Sequence, residues 1–139
     1  MIQLIIGDKG KGKTKILLEK ANNAADTANG NVVFLDKDNS HMYELKNKIR
    51  LVNTSEYFVS APIEFAGFVA GLISADHDLE ELFIDRLLKV ASCEAADIAD
   101  VLTKIDKVTD QYNVKCTINI SITEDQLPEA FKAAVIESL

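Results

Sequence analysis

The sequence predicts an α/β fold: a three-layer sandwich around a mostly parallel sheet of about five strands. Three observations lead there. Short apolar runs alternate with amphipathic stretches along the whole chain. The first two runs, "IQLII" and "VVFL", are almost wholly apolar, as strands covered on both faces are. With 139 residues and 47% hydrophobic content, the chain can build one core but is too short for two ordinary domains. The expectation is a single domain over 1–139.

Ile2 to Ile6 reads as a buried strand ended by Gly7. From Lys13 the period changes. Ile16, Leu17, Ala21, Ala24 and Ala28 outline a helix of about four turns, with Gly30 as its stop. Asn31 to Asp36 forms the second strand and closes on an acid. In "KDNSHMYELKNKIR", Met42, Leu45 and Ile49 recur at helical spacing, with Asn39 or Ser40 as cap. A third strand falls at Arg50 to Asn53 or at Tyr57 to Ser60, and the residues do not choose between the two.

Pro62 suits the first turn of a helix whose face carries Phe65, Phe68, Val69 and Leu72. Gly67 and Gly71 on that helix suggest close approach to the sheet or nothing at all. "LEELFID" is a strand ending on Asp85. A longer helix follows, with Ala95, Ile98, Ala99, Leu102, Ile105 and Tyr112 as its stripe. Val114 to Ile122 is a β-branched strand. "TEDQLPEAFKAAVIESL" reads as a closing helix, with Leu127, Phe131 and Val135 toward the sheet and no strand beyond it.

The net charge of -7 argues against free nucleic acid or an anionic membrane as the default partner, although an oligomer could gather the lysines. Cys93 and Cys116 have no metal-like spacing and read as reduced, buried thiols. The start lacks a secretory pattern, and no apolar run approaches membrane-spanning length, so the expectation is a cytoplasmic protein. His41 and His77 stand alone in polar stretches, and "ADHD" at 75–78 reads as a solvated loop. No Ser-His-Asp or Cys-His arrangement follows from spacing.

The chemistry is concentrated in "GDKGKGKT": Gly7, Asp8, Lys9, Gly10, Lys11, Gly12, Lys13 and Thr14. Gly7, Gly12, Lys13 and Thr14 fill the pattern G-x-x-x-x-G-K-[ST] between a strand and a helix. Glycines let the backbone turn tightly with N–H groups inward. The helix start adds its free N–H groups and positive end. Lys13 can reach outer phosphates, and Thr14 offers a hydroxyl oxygen to magnesium.

Magnesium at such a loop also wants an aspartate at the end of a neighbouring apolar strand. Asp85 fits best and Asp36 is its competitor. Asp36 and Asp38 are alternatively placed on the substrate or effector side.

"GDKGKGKT" and "LFID" together resemble the Walker A and Walker B patterns of the P-loop nucleoside triphosphatases. Within that superfamily the chain looks most like the RecA-like branch and like small stand-alone bacterial ATP-binding proteins. The resemblance implies a P-loop fold in which "CTINIS" is inserted between the two motif-bearing strands. It also implies that Asn119 or Ser121 senses the terminal phosphate. On that footing Lys13, Asp85 and Ser121 are the catalytic candidates, residues 7–14 hold the nucleotide, and Thr14 and Asp85 hold Mg2+.

Two features depart from the pattern. Arg86, not a glutamate, follows Asp85, and Glu80 and Glu81 lie at the strand's start, about 15 Å away at roughly 3.3 Å per residue. A base would have to come from Glu56, Glu64, Asp36 or Asp38. There is also no lid with paired arginines, since the only arginines are Arg50 and Arg86. Arg86 either contacts phosphate across a subunit boundary or pairs with Asp85 or Glu81.

The resulting expectation is Mg2+-dependent binding of ATP, or GTP, with slow hydrolysis. The alternatives are a small-molecule kinase and a nucleotide-sensing regulatory module. No motif reads the base, and the N-K-x-D pattern is absent. The short sheet implies a minimal domain or one completed by a second copy or a protein partner.

Overall fold

The computed structural model describes residues 1–139. A single sheet carries β1 (Ile2–Ile6), β2 (Asn31–Asp36), β3 (Ile49–Asn53), β4 (Leu79–Ile84), β5 (Lys115–Ile120) and β6 (Val135–Ser138). The helices are α1 (Lys13–Thr27), α2 (Pro62–Ala75), α3 (Leu87–Val90) and α4 (Ile98–Gln111). The strand order is β3-β2-β4-β5-β1-β6, and every neighbouring pair is parallel.

Alternation along the strands builds two cores. Leu4, Ile6, Leu35, Ile84, Ile118 and Ile120 face α2, α3 and α4. Ile5, Val32, Phe34 and Phe83 face α1, which meets them with Leu17, Leu18, Ala21 and Ala25. The small alanines let α1 lie close to the sheet. Both faces are therefore covered, as a parallel sheet requires.

The sheet has six strands where about five were expected, because the closing segment is not a helix. It makes 3-10 turns at Glu124–Gln126 and Glu129–Ala134 and then pairs as β6 with β1. Leu127, Phe131 and Val135 have helical spacing, but Pro128 would sit inside that helix without an N–H to give. Leu127 and Phe131 still reach the core, and Leu139 N–H donates to the Ile6 carbonyl at 2.9 Å.

The helix expected around Met42 reduces to a 3-10 turn over Met42–Glu44. Asp38 competes for the backbone there, accepting from Ser40 N–H at 2.9 Å and Ser40 Oγ at 2.6 Å. The third strand falls at Ile49–Asn53, not at Tyr57 to Ser60, where Phe58 takes φ 62°. The long helix expected after Asp85 is split into α3 and α4, with Ser92 at φ 51° between them. Ile98, Leu102 and Ile105 are buried as expected, but Ala99 and Tyr112 face outward and Val101 completes the stripe.

Phe65 and Val69 of α2 are buried, while Phe68 and Leu72 border an open groove of about 460 Å³ beside β3. Gly67 and Gly71 face open space, so their spacing reflects no close packing. Both thiols are buried and free. Burial raises the Cys93 pKa to about 11, with Asp97 and Glu94 adding to it, and raises Cys116 further. No helix is long and apolar enough to cross a membrane.

Gly30 is required by a close approach. A Cβ there would meet the Asp78 carbonyl oxygen at 2.2 Å, and that carbonyl accepts from Asn31 N–H at 2.7 Å. Gly30→Ala should therefore cost about 1–3 kcal/mol of stability. Thermal denaturation checks this, and an unchanged midpoint would show that the turn can yield.

Candidate functional site

The loop leaves β1 at Gly7 and enters α1 at Lys13. Gly10 and Gly12 adopt φ 87° and 88° with nothing near a would-be Cβ, so their role is conformational. Gly7 is different: at φ 152° it also packs against Leu139, whose carbonyl oxygen would lie 2.9 Å from a Cβ. Asp8, Lys9 and Lys11 are exposed on the loop. Lys13 is only 6% exposed, and its Nζ donates to the Asp8 carbonyl at 2.9 Å. Burial lowers its pKa, while Asp8 and Asp85 oppose the shift.

A cavity of about 250 Å³ opens at the carboxyl end of the sheet. Lys9, Gly10, Gly12, Lys13 and Thr14 line one side, and Arg86, Asn119 and Ser121 line the other. The larger groove beside β3 reaches Asn31 and Leu79, at the amino ends of β2 and β4, and so lies away from this loop. Its walls are mostly apolar. The smaller cavity gathers the cationic and hydroxyl groups that phosphates need.

Asp85 is fully buried behind this cavity. Its two oxygens accept from Thr14 Oγ1 at 3.1 and 3.3 Å, and Oδ1 also accepts from Asn119 Nδ2. Burial raises the Asp85 pKa, and neighbouring Asp36 adds to it, against the donors Asn119 and Thr14 and the charge of Arg86. Asn119 is also buried, and its Oδ1 accepts from Arg86 N–H. Ser121 is exposed at the cavity's rim. Of the two sensor candidates, Asn119 is therefore engaged with Asp85 and Arg86, and Ser121 is free to solvent.

The sheet order sets Asp36 beside Asp85, because Leu35 pairs with Ile84 one residue earlier on each strand. Arg86 joins them. Its Nη2 donates to Asp36 Oδ1 at 2.5 Å and to Asp38 Oδ2 at 3.4 Å, and its Nε lies 3.6 Å from Asp85 Oδ2. Arg86 is thus the counter-ion of three aspartates and has no contact with Glu81. Burial works against its charge, but Asp36, Asp85 and Asp38 raise its pKa overall. The arginine sits at φ 54°, a conformation that a long side chain seldom takes. Asp38 is held down at about 2, chiefly by its hydrogen bonds from Ser40.

His41 also comes to this cluster: ligand atoms of Asp36, His41 and Asp85 lie within 4.8 Å of one another. His41 stands alone in the sequence, and only the fold brings it here. The signal available was its spacing of five residues from a strand-end aspartate. His77 remains exposed on the turn before β4. Of the other carboxylates considered as a base, Glu64 accepts from Ser60 N–H and Oγ at 2.9 Å each, at the start of α2. Glu56 is exposed beyond β3. Only Asp36 and Asp38 reach the cluster, and Arg86 holds both.

No protein-family model matches the chain, and no curated protein matches it.

Proposed function

We propose that the chain is a P-loop nucleotide-binding domain of RecA-like type that binds a magnesium–nucleoside triphosphate, ATP in first place and GTP second. One observation carries this reading: Lys13 and the glycine loop face the cavity while Thr14 is hydrogen-bonded to the buried Asp85 behind it. The lysine and loop amides suit phosphate oxygens, and the hydroxyl–carboxylate pair suits a magnesium ion, Asp85 acting directly or through water. The strand order supports it too, since β5, with Asn119, lies between β1 and β4. When bound, magnesium would neutralise developing phosphate charge. Lys13 would hold the terminal phosphates, and Ser121 would meet them from the far rim.

Hydrolysis in this reading is slow. Asp36 and Asp38, the two base candidates that come beside Asp85, are both tied to Arg86. That same tie favours a second reading, a module that senses nucleotide state and passes it to a protein partner or a second copy.

Calorimetric titration with ATP, GTP and non-hydrolysable analogues in Mg2+ tests the binding, and phosphate release on the same samples separates the two readings. The expectation is micromolar binding, with turnover no faster than on the order of 10⁻³ s⁻¹. Folded, nucleotide-free protein that gives no heat with any nucleotide would overturn the proposal.

A further inference from the structure

We propose that Asp36, His41 and Asp85 form a binding site for a divalent transition-metal ion of the zinc class, filled without nucleotide. The geometric basis is the convergence of one ligand atom from each residue within 4.8 Å. Ligand atoms on a tetrahedral ion of this class stand about 3.4 Å apart at bond lengths of about 2.1 Å. The three side chains would therefore draw in by up to about 1.4 Å around an ion, His41 from its half-buried position.

The deciding observation is Asp36. Its side chain is fully buried, Oδ1 is bound to Arg86 at 2.5 Å, and Oδ2 has no hydrogen-bond partner. A buried carboxylate oxygen left alone is costly, and native proteins seldom leave one so. Here it belongs to a group of three whose ligand atoms converge. A cation would supply the missing partner, next to an Arg86 guanidinium whose Nη2 holds Oδ1 and whose buried Nε likewise has no hydrogen-bond acceptor.

His41 is set up for the same task. Its Nδ1 lies 2.6 Å from Glu44 Oε2. With the proton on Nδ1 shared to Glu44, Nε2 carries the free lone pair, the carboxylate–histidine pairing that commonly backs a metal ligand. The local charge agrees. Three aspartates, Asp36, Asp38 and Asp85, face one guanidinium in direct contact. A nitrogen with two carboxylates suits zinc-like ions better than magnesium, whose preferred ligands are all oxygen. The site is thus distinct from the magnesium position at Thr14, although both touch Asp85.

The test uses the full chain, freed of metal and nucleotide. Zn2+ binding is followed by calorimetry, and Co2+ is added as a visible-absorption probe. The expectation is one ion per chain, retained in millimolar Mg2+. His41→Ala and Asp36→Asn should each weaken binding by at least about 100-fold, and Glu44→Ala by about 10-fold. His77→Ala should leave it unchanged. Lys13→Ala should also leave it unchanged, so loss of nucleotide binding and loss of this site are separately visible. The proposal is overturned if wild type binds no ion. It is equally overturned if Asp36→Asn, shown by melting to be folded, binds as tightly as wild type while Glu44→Ala does not. That pattern would place the ion on the exposed His41–Glu44 pair. Should Asp36→Asn fail to fold, Asp85→Asn takes its place: undiminished binding in it, with the ion lost in His41→Ala, also overturns the site.

Discussion

Lys13→Ala should weaken Mg–ATP binding by about 100-fold or more and leave the fold intact. The ammonium sits at the cavity wall with a single hydrogen bond, to the Asp8 carbonyl. A phosphate there would gain charge-assisted bonds worth about 1.5–3 kcal/mol each. Losing two such bonds removes about 3 kcal/mol or more, which is the hundredfold. Stability should change little. Burial already disfavours the charge, and the loop glycines hold their own backbone angles without the lysine. Lys13→Met keeps most of the apolar stem and should lose as much affinity as alanine, assigning the effect to charge and not to packing. Calorimetry with a thermal melt on each variant checks both halves. Affinity within threefold of wild type in Lys13→Met would remove Lys13 from the phosphate site.

Parts of this architecture could be read from the sequence because their causes are local. Gly7, Gly10 and Gly12 punctuate the passage from β1 to α1, and the apolar run before Asp85 marks a buried strand with an acid at its end. Thr14 and Asp85 are separated by 71 positions yet are hydrogen-bonded, a meeting that the magnesium chemistry of a phosphate loop and the resemblance in "GDKGKGKT" and "LFID" imply. The parts that could not be read depend on which strands are neighbours. Asp36 belongs with Asp85 only because β2 sits beside β4, and Arg86 reaches both only from its unusual backbone angle. β6 was missed for a related reason. Leu127, Phe131 and Val135 satisfy a helical period, but the open edge of β1, more than a hundred residues away, takes the segment as a strand. His41 lies in the turn after Asp38, where Ser40 N–H bonds Asp38 and a 3-10 turn follows in place of the expected helix.

Asp85→Asn should stabilise the metal-free, nucleotide-free protein at neutral pH while reducing the gain in nucleotide affinity that Mg2+ provides. The sign follows from burial, which raises the carboxyl's pKa in the folded state. Between its ordinary value and that raised value, the native state binds more protons than the unfolded one. Stability therefore falls as pH rises through this window, and the loss persists at pH 7. An asparagine escapes it and can still accept from Asn119 and meet Thr14. Removing the buried charge should therefore raise the melting point at neutral pH. The advantage should shrink as the pH is lowered toward the ordinary carboxylate range, where wild type is itself neutral at Asp85. In exchange, the carboxylate no longer draws a magnesium ion beside Thr14, and the Mg2+-dependent gain should drop at least about tenfold. Melting curves from acid to neutral pH, paired with titrations with and without Mg2+, read the two effects independently. A lower melting point than wild type at pH 7 would mean that the carboxylate's bonds to Thr14 and Asn119 outweigh its desolvation. An unchanged Mg2+ dependence would remove Asp85 from the proposed magnesium position.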